Sequence, residues 1–189
     1  MSPSKLRSPQ LLAICATQPT LIFTNITTEV MIMATEEQKR QNQVRLSNLA
    51  LLSLAAGVWD ILGKGVNAFS GSMGDAILEV MEKEMGLEIA GEDPETVMHE
   101  ISRIFVDEYG FASDIEVVIQ DQEHFQLRVR NCVNRSFTDK LMQAGVEKPF
   151  ICPIMNSCRS ALKRMGYKMH EDIEQWKEGK GSIISFTQV

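Results

Sequence analysis

The stretch IEVVIQDQEHFQLRVR, residues 115–130, decides how this chain folds. Ile115, Val117 and Ile119 share one side of a two-residue period, and Phe125, Leu127 and Val129 then alternate with Gln126, Arg128 and Arg130. Side chains of a strand point to opposite faces in turn, so this pattern marks two half-buried strands. Asp121-Gln122-Glu123 between them supplies the turn. The reading is an antiparallel hairpin with Phe125, Leu127 and Val129 on its apolar face.

Upstream of the hairpin the period is helical. Val44, Leu49, Leu52, Ala55, Ala56, Trp59 and Leu62 recur at helical spacing and predict a long helix from Glu36. Thr35-Glu36-Glu37-Gln38 opens it as a capping box, and Gly63 and Gly65 end it. A second helix is expected to open at Ser72 and Asp75, to turn Ile77, Leu78, Met81 and Met85 inward, and to stop at Gly86. A third starts at Asp93-Pro94, a cap followed by a proline whose missing N–H costs nothing there, and runs to Tyr109.

Downstream, Ser136 and Asp139 are expected to cap a short helix, Pro153 to Met165 to form another, and His170 to Trp176 a last one. Gly181 to Val189 returns to strand propensity. The fold class is therefore α+β, with helices packed on a small, mainly antiparallel sheet and a long N-terminal helix. Residues 67–189 read as the main α+β domain. Residues 33–66 carry the long helix, whose apolar circumference exceeds what one small domain covers and marks it as a homodimerisation element. Residues 1–32, with only Lys5, Arg7 and Glu29 as charges, read as an extension upstream of a working start at Met33. An organelle-targeting segment is the rival account of them.

Composition sets the class of partner. The chain has 189 residues, 44% of them hydrophobic and 23% charged, with a net charge of -6. Such a balance is that of a globular protein, and the acidic sum speaks against nucleic acid as the main partner. The sum hides an asymmetry: residues 71–123 are strongly acidic, whereas residues 124–168 gather Arg128, Arg130, Arg135, Lys140, Lys148, Arg159, Lys163, Arg164 and Lys168. Complementary faces within the fold are the plain explanation. The longest apolar run, Leu49 to Leu62, is interrupted by Ser53, Gly57 and Asp60, so no membrane span is expected. Four cysteines are too few for a disulfide scaffold, and a reduced, cytoplasmic setting is the expectation.

The chemistry-bearing residues are few. The glycines from Gly63 to Gly74 follow no strand and lack the Lys-Ser/Thr pair of a phosphate loop. They are expected at helix ends and at a close helix contact. His99 falls opposite the apolar stripe of its helix, His124 lies on the polar face of its strand, and His170 is expected at the surface. No nucleophile–base–acid set and no zinc signature can be read, so no catalytic residue is assigned.

The cysteines carry the best signal. In Phe150-Ile151-Cys152-Pro153 the proline suits the first helical position and places Cys152 at a helix start. There the helix dipole and free N–H groups favour a thiolate, so its pKa is expected to fall below the usual range. Cys158, six residues on, lies about 120° around the helix, and Cys132 ends the second strand. Cys132, Cys152 and Cys158 are the candidate metal ligands, for zinc or an iron–sulfur centre. Burial as three small hydrophobes is the alternative.

Several of these segments together resemble a known family. The hairpin end Val129-Arg130-Asn131-Cys132, the helix entry Phe150-Ile151-Cys152-Pro153, the turn from Leu162 to Tyr167 and the closing run Gly179 to Phe186 look like a 4-vinyl reductase domain over residues 67–189. That family is similar in fold to haem-NO-binding domains and to subunits of the TRAPP trafficking complex. The resemblance implies a dimeric α+β module for hydrocarbon-like or tetrapyrrole-related ligands, with Cys132 and Cys152 at family cysteine positions. Ser182 stands where a cysteine is common, which weakens a complete metal cluster. The haem-binding relatives use a proximal histidine and a Tyr-x-Ser-x-Arg motif absent here, so haem is disfavoured.

Two functions compete on this reading. One is a noncatalytic small-molecule binding or sensing module with a small apolar ligand against Phe125, Leu127, Val129 and Phe150. The other is a cysteine-based metal-binding or redox-sensing protein. A reductase acting on a tetrapyrrole vinyl group rests on the resemblance alone.

Overall fold

The structure, a computed structural model, describes residues 34–189 apart from Gln122. The expectations for residues 1–32 lie outside the described residues. The hairpin is as the sequence predicts: β1 (Asp114–Ile119) pairs antiparallel with β2 (His124–Arg130), Ile115 opposite Val129 and Val117 opposite Leu127. β4 (Gly181–Gln188) pairs with the other side of β2, and β3 (Met169–Trp176) pairs with β4. The result is one antiparallel sheet in the order β1-β2-β4-β3.

One face of this sheet is polar. Arg130 meets Asp114 at 3.3 Å, Arg128 meets Glu116 at 3.7 Å, and the Arg130 guanidinium lies 4.5 Å from the centre of the Trp176 ring. The acidic and basic segments are thus joined within the fold, as they are again by Arg164 and Glu82 at 2.9 Å. The other face is the core, where Leu127, Val129 and Ile184 have no exposed surface. Helices cover it: α2 (Asn67–Glu79), α3 (Pro94–Arg103) and α5 (Pro153–Arg164) contribute Leu78, Met98, Ile101, Ile154 and Leu162.

The helix boundaries show which local signals prevail. Asp93 caps α3 as expected, accepting from the Thr96 N–H at 2.9 Å with Pro94 behind it. Ser72 and Asp75 do not open the second helix, because α2 already begins at Asn67 after a short 3-10 turn, Gly63–Val66. Ser72 is thus mid-helix and exposed, while Asp75 accepts from the Ser160 hydroxyl on α5. Gly74 lies against α5, where an added β-carbon would stand 2.1 Å from the Asn156 carbonyl oxygen. Close helix contact, rather than a phosphate loop, is its reason. α4 (Arg135–Gln143) likewise starts at Asn134 with no side-chain cap, and Asp139 pairs with Arg135 instead of capping.

The predicted last helix, His170 to Trp176, is the strand β3. Its inward positions include Glu171, buried because Arg159 of α5 meets it at 3.0 Å. A carboxylate on the inner face breaks the apolar alternation by which a strand is recognised.

The long helix is as predicted: α1 spans Glu36–Leu62. Its contact with the fold is narrow. Ala55 is its one buried residue, and Leu52, Ala56, Val58 and Trp59 pack beside it against a second, smaller core of Val66, Leu141, Val146 and Phe150. Trp59 stacks on Phe150 with ring centres 6.3 Å apart. Val44, Leu46, Leu49, Leu54 and Ile61 are exposed. By length and composition this helix, continued to Val66, is apolar enough to cross a membrane, and only 11% of its most apolar stretch is buried. Ser53, Gly57 and Asp60 do not break the apolar run to the degree expected from them.

Candidate functional site

A cavity of about 260 Å³ lies where α4, the segment preceding α5 and the free end of the β3–β4 hairpin meet. Arg135, Thr138 and Met142 face it from α4, Ile173 and Gln175 from β3, and Ser182 from β4. Pro149, Ile151 and Cys152 close it on the α5 side, and Cys132 follows from the end of β2.

Main-chain bonds hold these walls in place. β2 ends as Asn131 enters a left-handed conformation, and its N–H donates to the Gly179 carbonyl at 2.8 Å. The Cys132 N–H then donates to the Lys180 carbonyl at 3.2 Å, so the first thiol is tied to the β3–β4 turn. Gly181 is needed beside it, since a β-carbon there would stand 1.9 Å from the Val129 carbonyl oxygen. On the opposite wall the Phe150 carbonyl accepts from Asn156 Nδ2 at 2.9 Å and from the Ser70 hydroxyl at 3.1 Å. These bonds position Ile151 and Cys152. Cys152 is the N-cap of α5 with Pro153 at its first turn, as the sequence predicts.

Arg135 and Gln175 on the polar rim are already paired. Arg135 contacts Asp139 at 3.0 Å, donates to the Gly181 carbonyl at 2.9 Å and donates to Gln175 Oε1 at 3.1 Å, while Gln175 Nε2 donates to Asp139 at 2.8 Å. This network straps α4 to β3 and β4. A guanidinium so engaged has little left for an anionic ligand.

The thiols are not thiolates. Burial pushes the Cys152 thiol up to about 12, and the Met155 and Ile154 N–H groups that favour the anion do not offset it. The expected lowering by the helix start is overturned, because desolvation of the sulfur outweighs the dipole. Burial raises Cys132 as well, against weaker help from the Asn134 N–H and Arg135. Cys158 is fully buried in the main core and is raised further.

The candidate ligands are therefore divided. Cys132 and Cys152 share the cavity, and Cys158 lies in the core. Among the described residues no three His, Cys, Asp or Glu side chains gather to hold a metal. Phe125, Leu127 and Val129 are core residues that do not line this cavity, and Phe125 borders a separate open cleft beside Asp93 and Gln188. Phe150 is 3% exposed and belongs to the smaller core, although its neighbours Pro149 and Ile151 reach the cavity. Sequence reasoning missed Thr138, Ile173 and Gln175. The last two were hidden by reading β3 as a helix, whereas Thr138 gave no signal beyond lying one turn after Asn134.

Residues 46–189 match the model of the family described as "Putative rubredoxin C-terminal domain". The chain belongs to this family. A protein of Methanothermobacter thermautotrophicus called "Putative rubredoxin" is 30% identical over 142 residues, covering 75% of this chain and 71% of that protein. Among solved structures, a trafficking protein particle complex subunit 3 from Naegleria fowleri, covalently bound to palmitic acid, superposes with a TM-score of 0.51 at 12% identity. The match covers 77% of this chain and 96% of that one, and shows a shared fold. The fold likeness to TRAPP subunits expected from the sequence is thus present. The matched family is the rubredoxin C-terminal one, and the likeness to 4-vinyl reductase domains remains a resemblance.

The family's name implies iron held by cysteine thiolates. Such a site takes four sulfur ligands in a tetrahedron. Among the described residues the donor set does not fit: Cys132 and Cys152 share a cavity, Cys158 is in the core, and Ser182 stands on the remaining wall.

Proposed function

We propose that this protein is a noncatalytic module that binds a small, uncharged, hydrocarbon-like ligand in the cavity between α4, α5 and the β3–β4 hairpin. The observation that carries this reading is the cavity's wall: Thr138, Met142, Ile151, Ile173 and two protonated thiols around an enclosed space, with the one cation already paired. Burial of apolar ligand surface supplies the affinity. The resemblance to 4-vinyl reductase domains, with its hydrocarbon-like or tetrapyrrole-related ligands, supports this reading. So does the palmitic acid named for the structural neighbour, a protein that shares the fold.

A second reading is a metal-binding or redox-sensing pair at Cys132 and Cys152. The family name and the shared cavity favour it, and the lack of a third donor beside them among the described residues opposes it.

Titration with the neutral fluorophore N-phenyl-1-naphthylamine tests the first reading. The unmodified chain is expected to enhance its fluorescence saturably, and Thr138→Phe, which fills the cavity from a half-buried position, is expected to weaken binding at least tenfold with unchanged stability. Equal binding by both proteins would overturn the assignment.

A further inference from the structure

A second apolar space adjoins the first. A groove of about 410 Å³ runs between α2 and α3, and Phe111 and Pro153 line it as well as the cavity already described. These two side chains stand between the two spaces. The groove's other walls are Ala76, Ile77 and Val80 from α2 and the turn after it, and Phe105 and Tyr109 from the turn after α3. Its one hydroxyl, that of Tyr109, donates to Met85 Sδ at 2.8 Å, so nothing in the wall asks for a polar ligand.

Both helices depart from α geometry where they border the groove. Val80–Glu84 and Ile104–Glu108 are single π-helical turns, which are uncommon and recur at functional sites. Each ends at a glycine with positive φ, Gly86 and Gly110. The second glycine leads directly into Phe111, whose ring packs edge-on against Phe105 at 5.6 Å. The wider turns thus set the groove's walls and the position of the side chain between the two spaces.

Size favours a shared occupant. The first cavity is below the roughly 300–1,000 Å³ usual for a ligand pocket, whereas the two together fall inside that range. We infer that the ligand is a long-chain molecule with a small uncharged polar head, its head beside Thr138 and Gln175 and its hydrocarbon tail passing Phe111 and Pro153 into the groove between α2 and α3. This rests on the proposed use of the first cavity and names the ligand class. The paired Arg135 and the nearby Glu174 select against a free carboxylate, so an alcohol, amide or ester is the head that fits.

Calorimetric titration with straight-chain primary alcohols of increasing length tests it. Affinity is expected to rise by up to about fourfold per methylene, the value for complete burial, and to keep rising beyond the length the first cavity holds. Ala76→Trp, at an exposed position, and Val80→Asp, which puts a charge on the groove wall, are each expected to leave short alcohols unaffected and to remove the gain of the long ones. Two independent variants guard against a folding artefact, and thermal unfolding checks each. An affinity that levels off with short alcohols in the unmodified protein, or variants that bind long alcohols normally, overturns the groove. Failure of short alcohols to bind at all overturns the first cavity, and the groove with it.

Discussion

Gly74 and Gly57 lie on helices in opposite circumstances, and the difference is measurable. A β-carbon on Gly74 meets the Asn156 carbonyl of α5, whereas one on Gly57 meets nothing within 4 Å. Gly74→Ala is expected to destabilise by about 1–3 kcal/mol through forced separation of α2 from α5. Gly57→Ala is expected to stabilise by about 0.5–1 kcal/mol, since alanine is the better helix former. Denaturant unfolding of the two variants checks both. The thiols give a second prediction at this scale. With Cys152 pushed up to about 12, about one molecule in a hundred thousand carries its thiolate at pH 7, so alkylation of the native protein is slow there and quickens as the pH rises. Stability follows the opposite course. The unfolded chain releases this proton near pH 9 and the folded one near 12, so the contribution is complete below about 9 and is lost between about 9 and 12. Urea midpoints of the unmodified chain and of Cys152→Ala should converge across that interval. Rapid labelling of Cys152 at pH 7 would contradict the raised value.

At the scale of elements, the hairpin and the helices α1, α3 and α5 were legible because each carries its own period or cap, whereas α2 and α4 stand where the sequence places helices but not on the caps expected for them. The hairpin's alternation is a local property of residues 115–130, and Asp93-Pro94 forms its cap within one turn. β3 was not legible, because its inward Glu171 is matched by Arg159 from α5, a partner that no reading of residues 169–176 alone supplies. The same non-local cause hid the candidate site: Ile173 and Gln175 reach the cavity only once β3 lies beside β4. Cys132 and Cys152 were legible as residues at element ends, but not the desolvation that keeps them protonated. On α1 the exposed Val44, Leu51, Leu54 and Ile61 fall at spacings of seven and three, the seam by which two helices pair. If α1 is the dimer element expected from the sequence, light scattering gives twice the chain mass, and Leu54→Glu with Ile61→Glu halves it without loss of fold. Leu52 and Trp59 are unsuited to this test, since they pack inward on the smaller core. A single-chain mass for the unmodified protein at high micromolar concentration would withdraw the dimer.

For the whole molecule, the family name and the site's chemistry point in different directions. Membership of the rubredoxin C-terminal family brings an expectation of iron, whereas Glu36–Val189 fold into one compact unit in which no three His, Cys, Asp or Glu side chains gather among the described residues. The likeness to the trafficking subunit, at 12% identity, speaks for the fold alone. Function then rests on the cavity wall. Native mass spectrometry of the chain purified without chelator tests that most directly. The account predicts an apolar organic adduct that is lost on denaturation and no bound metal, with Thr138→Phe lacking the adduct. Iron or zinc retained through native conditions, released by a chelator and absent from Cys152→Ser, would contradict it.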